Sequence, residues 1–255
     1  MDFHIVHINE TDSTNRWLAS QASSLQEGSR TVRETVHAEE QPPCEVVVAA
    51  YQTAGKGCGT NSWESERGKN LTFSMLIHPE EIPASEQFHI TEIVSVAMCE
   101  TLQQVLGPAH HVTIKWPNDI YVGEKKICGI LIENRLQGNI IKDSIIGIGL
   151  NVNQKKFRSN APNPVSIYQL TGQETDTKEL LSAFLKAFDH AYQNKTTCFT
   201  YRERLFRKGE DGLYKTQTTC FTARLTDVLS DGRLLLVDQQ GEKRLFSFKE
   251  VQFIL

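Results

Sequence analysis

The 255-residue sequence predicts an α/β body with a small β-barrel appended at its C-terminus. Three observations predict it. Continuous apolar runs such as Val46-Val47-Val48-Ala49-Ala50 have the length of buried strands. Between such runs lie stretches whose apolar residues recur at helical spacing. The last forty or so residues hold only short strand-like segments separated by turn signals. At roughly 100–200 residues per domain, the length fits one catalytic-sized body over 1–208 and a small appendage over 209–255.

His4-Ile5-Val6-His7-Ile8 alternates like a strand. Asp12-Ser13-Thr14 then offers helix N-cap residues before Asn15-Arg16-Trp17-Leu18-Ala19. Residues 26–43 are polar, carry Pro42-Pro43, and read as a long loop. Val46 to Tyr51 reads as a buried strand, ended by Gly55-Lys56-Gly57-Cys58-Gly59. Leu71 to Ile77 is the next strand. Gln87 to Leu106 reads as a helix with Ile90, Val94, Ala97, Leu102, Val105 and Leu106 near one face. Val112 to Trp116 is a strand that stops at Pro117-Asn118-Asp119. Ile120 to Val122 and Ile127 to Glu133 form a hairpin around Gly123-Glu124-Lys125, and Ser144 to Asn151 is a further buried strand. After a Pro-containing loop, Leu181, Phe184, Leu185, Phe188 and Tyr192 mark a helix over about 177–193, with Asp176 and Glu179 at cap and N3 spacing. Ala223–Thr226 and Leu234–Val237 flank Asp231-Gly232, a hairpin signal, and Gln240-Gly241 marks a second turn. Arg244–Phe248 and Val251–Ile254 complete the expected barrel.

Composition narrows the function. Lys and Arg number 27 against 31 Asp and Glu, a formal charge of −4. That balance argues against a general nucleic-acid binder, which needs a basic face. No apolar run approaches the ~20 residues of a membrane span. Met1-Asp2-Phe3-His4 lacks a basic n-region and an apolar h-region, so no secretory signal is expected. The six cysteines are scattered without a Cys-x-x-Cys pair, which points to reduced thiols in the cytoplasm. His4-x-x-His7 and His110-His111 lack partners at metal spacing.

Three clusters interrupt otherwise apolar strands. Gly55-Lys56-Gly57-Cys58-Gly59 follows a strand. Glycines let backbone N–H groups approach an anion and Lys56 would neutralise phosphate, but a surface hairpin explains the same residues. Lys115 ends a strand before Trp116-Pro117-Asn118-Asp119. A lysine there either holds an anionic ligand in a cleft or snorkels at an edge. Gly147-Ile148-Gly149 strips side chains from one strand face, leaving a slot for a slim ligand or for a close-packed neighbour.

Taken in order, Asp12-Ser13-Thr14-Asn15, Tyr51-Gln52-x-Ala54-Gly55-Lys56-Gly57, Asn61-Ser62-Trp63, Lys115-Trp116-Pro117-Asn118-Asp119, Lys126-x-x-Gly129-Ile130-Leu131-Ile132-Glu133 and Gly147-Ile148-Gly149-Leu150-Asn151 resemble the biotin protein ligases. The resemblance runs from about residue 5 to 153, and Phe246-Ser247-Phe248-x-x-Val251 is similar to that family's C-terminal segment. It implies a catalytic domain of the class II aminoacyl-tRNA synthetase-like type, a mixed sheet with flanking helices, followed by a small SH3-like barrel. Because the Ser-Thr-Asn motif begins at Ser13, it also implies the enzyme-only type without an N-terminal winged-helix repressor domain.

The implied reaction has two steps. Biotin and Mg-ATP give biotinyl-5'-AMP and pyrophosphate, and a lysine of the biotin carboxyl carrier protein of acetyl-CoA carboxylase, or of a related carboxylase, then takes the biotinyl group. By resemblance, Ser13, Thr14, Asn15 and Gln52 bind the biotin head, Gly129, Gly147 and Gly149 leave room for its rings and chain, and Gly55, Lys56, Gly57 and Cys58 close over it. Lys115 is the implied catalytic residue, contacting the biotin carboxylate and the reacting phosphate. Lys56, Trp63, Asn118 and Asn151 are the implied nucleotide contacts, with Trp63 stacking on adenine. Asp119 is a candidate for magnesium, and no protein side chain is assigned as a metal ligand. The implied partners are biotin, ATP and the carrier protein, with no nucleic acid and no membrane, and the chain acts as a monomer or a homodimer.

One departure stands out. The family loop often reads Gly-Arg-Gly-Arg-x-Gly, whereas here it is Gly55-Lys56-Gly57-Cys58-Gly59-Thr60. Cys58 offers neither a guanidinium fork nor a charge. Two related readings compete: a lipoate or octanoate ligase, whose Arg-rich and Gly-Gly motif is missing, and a non-catalytic biotin sensor, which the presence of Lys115 disfavours. A nucleic-acid-binding regulator is disfavoured by the negative charge.

Overall fold

The structure is a computed structural model that describes residues 1–28, 43–59, 61–159, 163–194 and 197–255. It divides into two compact units: Met1–Ala84, Cys128–Asn160 and Ser166–Thr177 make the first, and Ser85–Ile127, Ala161–Val165 and Lys178–Leu255 the second.

The first unit is built on a mixed sheet. β1 (Phe3–Ile8) runs parallel to β2 (Cys44–Ala49), which pairs antiparallel with β3 (Leu71–Ile77). β3 pairs antiparallel with β7 (Ile140–Leu150), and β7 with residues Cys128–Gln137 of β6 (Lys125–Gln137). The central strand β3 is buried at every position, which its apolar composition requires of a strand covered on both faces. Helix α1 (Thr14–Gly28) packs on β2, β3 and β7, and Leu18 seals the contact against Val47 and Leu76. The loop expected over 26–43 falls almost wholly outside the described residues; residues 26–28 are the end of α1.

Short helix α3 (Ile167–Thr171) was not anticipated. Ser166 caps it through the Gln169 N–H, and the Gln169 side chain returns a bond to the Ser166 N–H, a complete capping box. Gly172 ends it in the left-handed conformation (φ 73°).

In the second unit, α2 (Phe88–Leu106) packs on the antiparallel pair β4 (Val112–Lys115) and β5 (Asp119–Val122) and on α5 (Thr197–Glu203). Residues 204–206 run beside β4: Ile114 N–H donates to the Arg204 carbonyl at 2.8 Å, and Phe206 N–H to the Ile114 carbonyl at 2.8 Å. That added segment satisfies the outer edge of β4. Helix α4 (Thr177–Gln193) buries Leu181, Phe184, Leu185 and Phe188, the stripe its spacing predicts.

The C-terminal strands form one antiparallel sheet in the order β11-β10-β9-β8-β12, with β8 (Asp211–Lys215), β9 (Cys220–Val228), β10 (Leu234–Asp238), β11 (Lys243–Phe246) and β12 (Gln252–Ile254). The two expected turns are present, with Gly232 at φ 87° and Gly241 at φ 83°. β11 ends two residues earlier than its apolar run suggests, because Ser247 N–H turns to the Glu250 carboxylate at 2.6 Å.

Candidate functional site

The first unit gathers a buried polar cluster on one face of its sheet. Directly opposed residues of antiparallel strands share a face. Thr72 and Ser74 of β3 oppose Gly149 and Gly147 of β7, and those glycines in turn oppose Gly129 and Leu131 of β6. Three glycines and two short hydroxyl side chains therefore leave this face nearly bare.

The start of α1 lies over that bare patch. Ser13, Thr14 and Asn15 are all buried. A Cβ on Gly147 would collide with the Asn15 amide, and one on Gly149 with the indole of Trp63. The two glycines thus let Asn15 and Trp63 approach the strand closely.

Hydrogen bonds fix each head of the cluster. Gln52 Oε1 accepts from the Thr14 N–H at 2.8 Å and from its hydroxyl at 3.1 Å. Ser74 Oγ lies 2.6 Å from both Thr14 Oγ1 and Asn15 Oδ1, with one proton to serve them. Asn15 Nδ2 donates to Glu133 Oε2 at 2.6 Å. Gln52 is held in reach because Thr53 N–H donates to the Thr11 carbonyl and Ala54 N–H to that of Asp12, at 2.9 and 3.0 Å. Ser74 and Glu133 belong to this network and were not among the predicted site residues. A buried serine in the apolar run Leu71–Ile77 is the sequence signal for the first; Glu133 closes the Lys126–Glu133 motif, which by itself gives it no role.

The glycine loop is a hairpin. Trp63 N–H donates to the Gly55 carbonyl at 2.9 Å and Gly57 N–H to the Asn61 carbonyl at 2.8 Å, with Lys56 opposite Ser62. The Gly57 amide is thus consumed within the hairpin. Gly55 is buried, Lys56 exposed and Cys58 half-buried. Thr60 lies outside the described residues. Asn151, buried at the end of β7, accepts from the Ile167 N–H through its carbonyl.

The second unit holds the lysine cluster. Lys115 is the last residue of β4. Its Nζ lies 3.4 Å from Tyr121 Oη, 5.3 Å from the centroid of the Tyr121 ring and 5.5 Å from that of Phe253. Burial pulls the ammonium below the ordinary lysine range, helped by Lys126 and Arg207, while Asp119 opposes the shift. Asp119 is itself held by Lys126, Nζ to Oδ1 at 2.6 Å. The turn after Lys115 is clamped. Trp116 Nε1 donates to the Gly232 carbonyl at 2.9 Å, its ring meets Phe248 edge-on, and Tyr201 Oη donates to the Pro117 carbonyl at 2.7 Å. The Trp116–Pro117 peptide bond is cis. Asn118 follows on the same turn, half-buried.

A sequence profile of the biotin/lipoate A/B protein ligase family matches residues 17–151. The chain belongs to that family. Its relatives include the bifunctional ligase/repressor BirA of Bacillus spizizenii, 29% identical over 217 residues, covering 81% of this chain and 65% of that protein. The biotin–[acetyl-CoA-carboxylase] ligase of Paracoccus denitrificans is 30% identical over 146 residues, covering 56% of this chain and 60% of that protein. This member of the biotin/lipoate ligase family thus spans 60–65% of the length of these two curated relatives. Among solved structures, the biotin protein ligase of Aquifex aeolicus in complex with biotin and ATP superposes with a TM-score of 0.74 at 24% identity, covering 98% of both chains. The Leishmania major biotin protein ligase in complex with biotinyl-5-AMP gives 0.60 at 20% identity over 96% of this chain and 98% of that one. The expected mixed sheet with flanking helices is the fold these ligase structures share.

Proposed function

We propose that the protein is a biotin protein ligase. It activates biotin with ATP to biotinyl-5'-AMP and transfers the biotinyl group to a lysine of a biotin carboxyl carrier protein. The observation that carries the reading is the buried cluster of Thr14, Asn15, Gln52 and Ser74 on a sheet face cleared by Gly129, Gly147 and Gly149. A ureido ring presents one acceptor and two donors, and this cluster holds hydroxyl donors beside amide oxygens. Membership in the ligase family and relatives named as biotin ligases support the same reading.

In the first step a biotin carboxylate oxygen attacks the α-phosphorus and pyrophosphate leaves. In the second, the amine of the carrier lysine attacks the acyl carbon of the mixed anhydride and AMP leaves with the bonding pair. No enzyme nucleophile takes part, so catalysis rests on positioning and charge. Ser13, Thr14, Asn15 and Gln52 would hold the biotin head, with Ser74 and Glu133 fixing their rotamers. Lys115 would bind the carboxylate and the reacting phosphate, and Lys56, Trp63, Asn118 and Asn151 the nucleotide. Gly55, Gly57 and Cys58 would lie over the bound biotin. Mg2+ would come with the ATP phosphates and offset charge on the leaving pyrophosphate. The Asp119 carboxylate is engaged with Lys126, so the side chains present suit an ion held mainly by phosphate. We place the protein in the cytoplasm, in keeping with six cysteines that are all thiols. Among the described residues no helix is long and apolar enough to cross a membrane.

The test is biotin-dependent ATP–pyrophosphate exchange on the purified chain, with lipoate and octanoate run beside it. Exchange with biotin alone is expected. Exchange with lipoate or octanoate instead would replace the substrate, and binding of biotin without exchange would make the protein a sensor.

A further inference from the structure

Lys115 and Asp119 oppose each other across β4 and β5, the arrangement in which opposite charges normally pair. Here they do not. Asp119 bonds to Lys126, and among the described residues no carboxylate lies within ion-pair distance of Lys115. The ammonium rests instead near two aromatic rings. Tyr121 is its diagonal neighbour on β5, two pairs along from Asp119, so both side chains rise from the same face. Phe253 comes from β12, the last strand of the C-terminal sheet.

Phe253 is itself held. It opposes Tyr214 in the β8–β12 register, and the two rings meet edge-on with centroids 5.0 Å apart. Tyr214 is in turn stacked with Phe221 of β9 at 6.1 Å. The ring near Lys115 is therefore the end of an aromatic row in the C-terminal sheet.

A ring and a carboxylate orient an ammonium in different ways. A carboxylate cancels the charge it binds. A ring attracts the cation through its quadrupole and leaves the net charge intact. Lys115 is thus fixed in direction without a direct ion pair to cancel its charge, which remains for an anionic ligand. Asp119, engaged by Lys126, offsets only part of the effect of burial, so the proton affinity of Lys115 stays lowered.

We infer that Phe253 is a positioning residue for the reaction: the C-terminal sheet supplies the ring that aims Lys115. This rests on the ligase reading above, in which Lys115 serves adenylate formation. It gives the C-terminal sheet a defined part in the first half-reaction, separate from any part in carrier recognition.

The experiment measures kcat and KM of biotin-dependent ATP–pyrophosphate exchange in the full-length chain. Phe253→Leu keeps an apolar side chain of similar reach and removes the ring. It is expected to lower kcat about threefold to tenfold with the KM for biotin within twofold, and Phe253→Tyr to restore most of it. Mono-, di- and trifluorinated phenylalanines placed at 253 keep shape while draining the ring face of electron density. The expected result is a stepwise fall in log kcat with fluorine count, which a purely structural role would not produce. Full activity in Phe253→Leu, or a flat fluorination series in an active protein, overturns the positioning role. Absence of exchange in the unaltered chain overturns the ligase reading itself, and the role of Phe253 with it.

Discussion

At Gly147 the addition of one methyl group has a calculable consequence. The Cβ would meet the Asn15 amide, which is fixed by Ser74 and Glu133 and has nowhere to swing. Overpacking of this kind typically costs about 1–3 kcal/mol. Gly147→Ala is expected to weaken biotin binding about tenfold or more by calorimetry while circular dichroism stays native. Lys115→Ala should slow exchange on the order of 100–1000-fold in a folded protein, the usual loss for one group that stabilises developing charge. Because burial and the nearby Lys126 and Arg207 favour the neutral amine, the exchange rate should fall on the alkaline side with a midpoint below the ordinary lysine value of 10.5. Loss of the proton removes the charge that works, so the limb falls with rising pH; a rate flat to pH 10.5 would mean the charge is not used. Cys58→Arg would restore a guanidinium to the hairpin beside Lys56. It is expected to slow dissociation of bound biotinyl-5'-AMP, followed directly with labelled adenylate, and an unchanged off-rate would show that position 58 does not retain it.

Elements differed in how plainly the sequence announced them. α4 was legible because five apolar residues repeat at helical spacing, and β3 because seven residues in a row suit burial on both faces. α3 and α5, of 5 and 7 residues, are too short to show a period, and each depends on tertiary contacts. α3 was marked only by Ser166 and Gln169, three residues apart, a capping box visible in retrospect. β8 begins Asp-Gly and carries little apolar alternation, so only its pairing with β9 and β12 defines it. The candidate site divides the same way. Ser13, Thr14, Asn15 and Gln52 stand out as polar groups beside apolar runs, and the structure draws Thr14, Asn15 and Gln52 into one network. Ser74 and Glu133 join them only through strand register, which no single segment reveals. One element carries its own test. Gly232 sits at φ 87° in the β9–β10 turn, and a Cβ there would strike the Phe88 ring of α2. Gly232→Ala is therefore expected to lose roughly 1–3 kcal/mol in urea unfolding, since strain and overlap act together.

For the whole molecule, thiol chemistry gives a direct readout of folding. Cys44, Cys99 and Cys128 are buried, whereas Cys58, Cys198 and Cys220 reach solvent to differing degrees. Burial raises the Cys44 and Cys99 thiols to about 12, so neither supplies thiolate at neutral pH. An aromatic disulfide reagent should titrate three thiols in the native protein and all six in denaturant. More than three fast thiols in the native state would show that the buried strands and α2 open readily. The two units also have separate optical reporters. Of the three tryptophans, Trp63 packs over Gly149 in the first unit and Trp116 bonds to the Gly232 carbonyl in the second. Replacing Trp17 with phenylalanine leaves one indole in each. Emission from Trp116 would then follow melting of the C-terminal sheet, and emission from Trp63 the arrival of a ligand at the glycine-cleared face, so one fluorescence trace can time the two events apart.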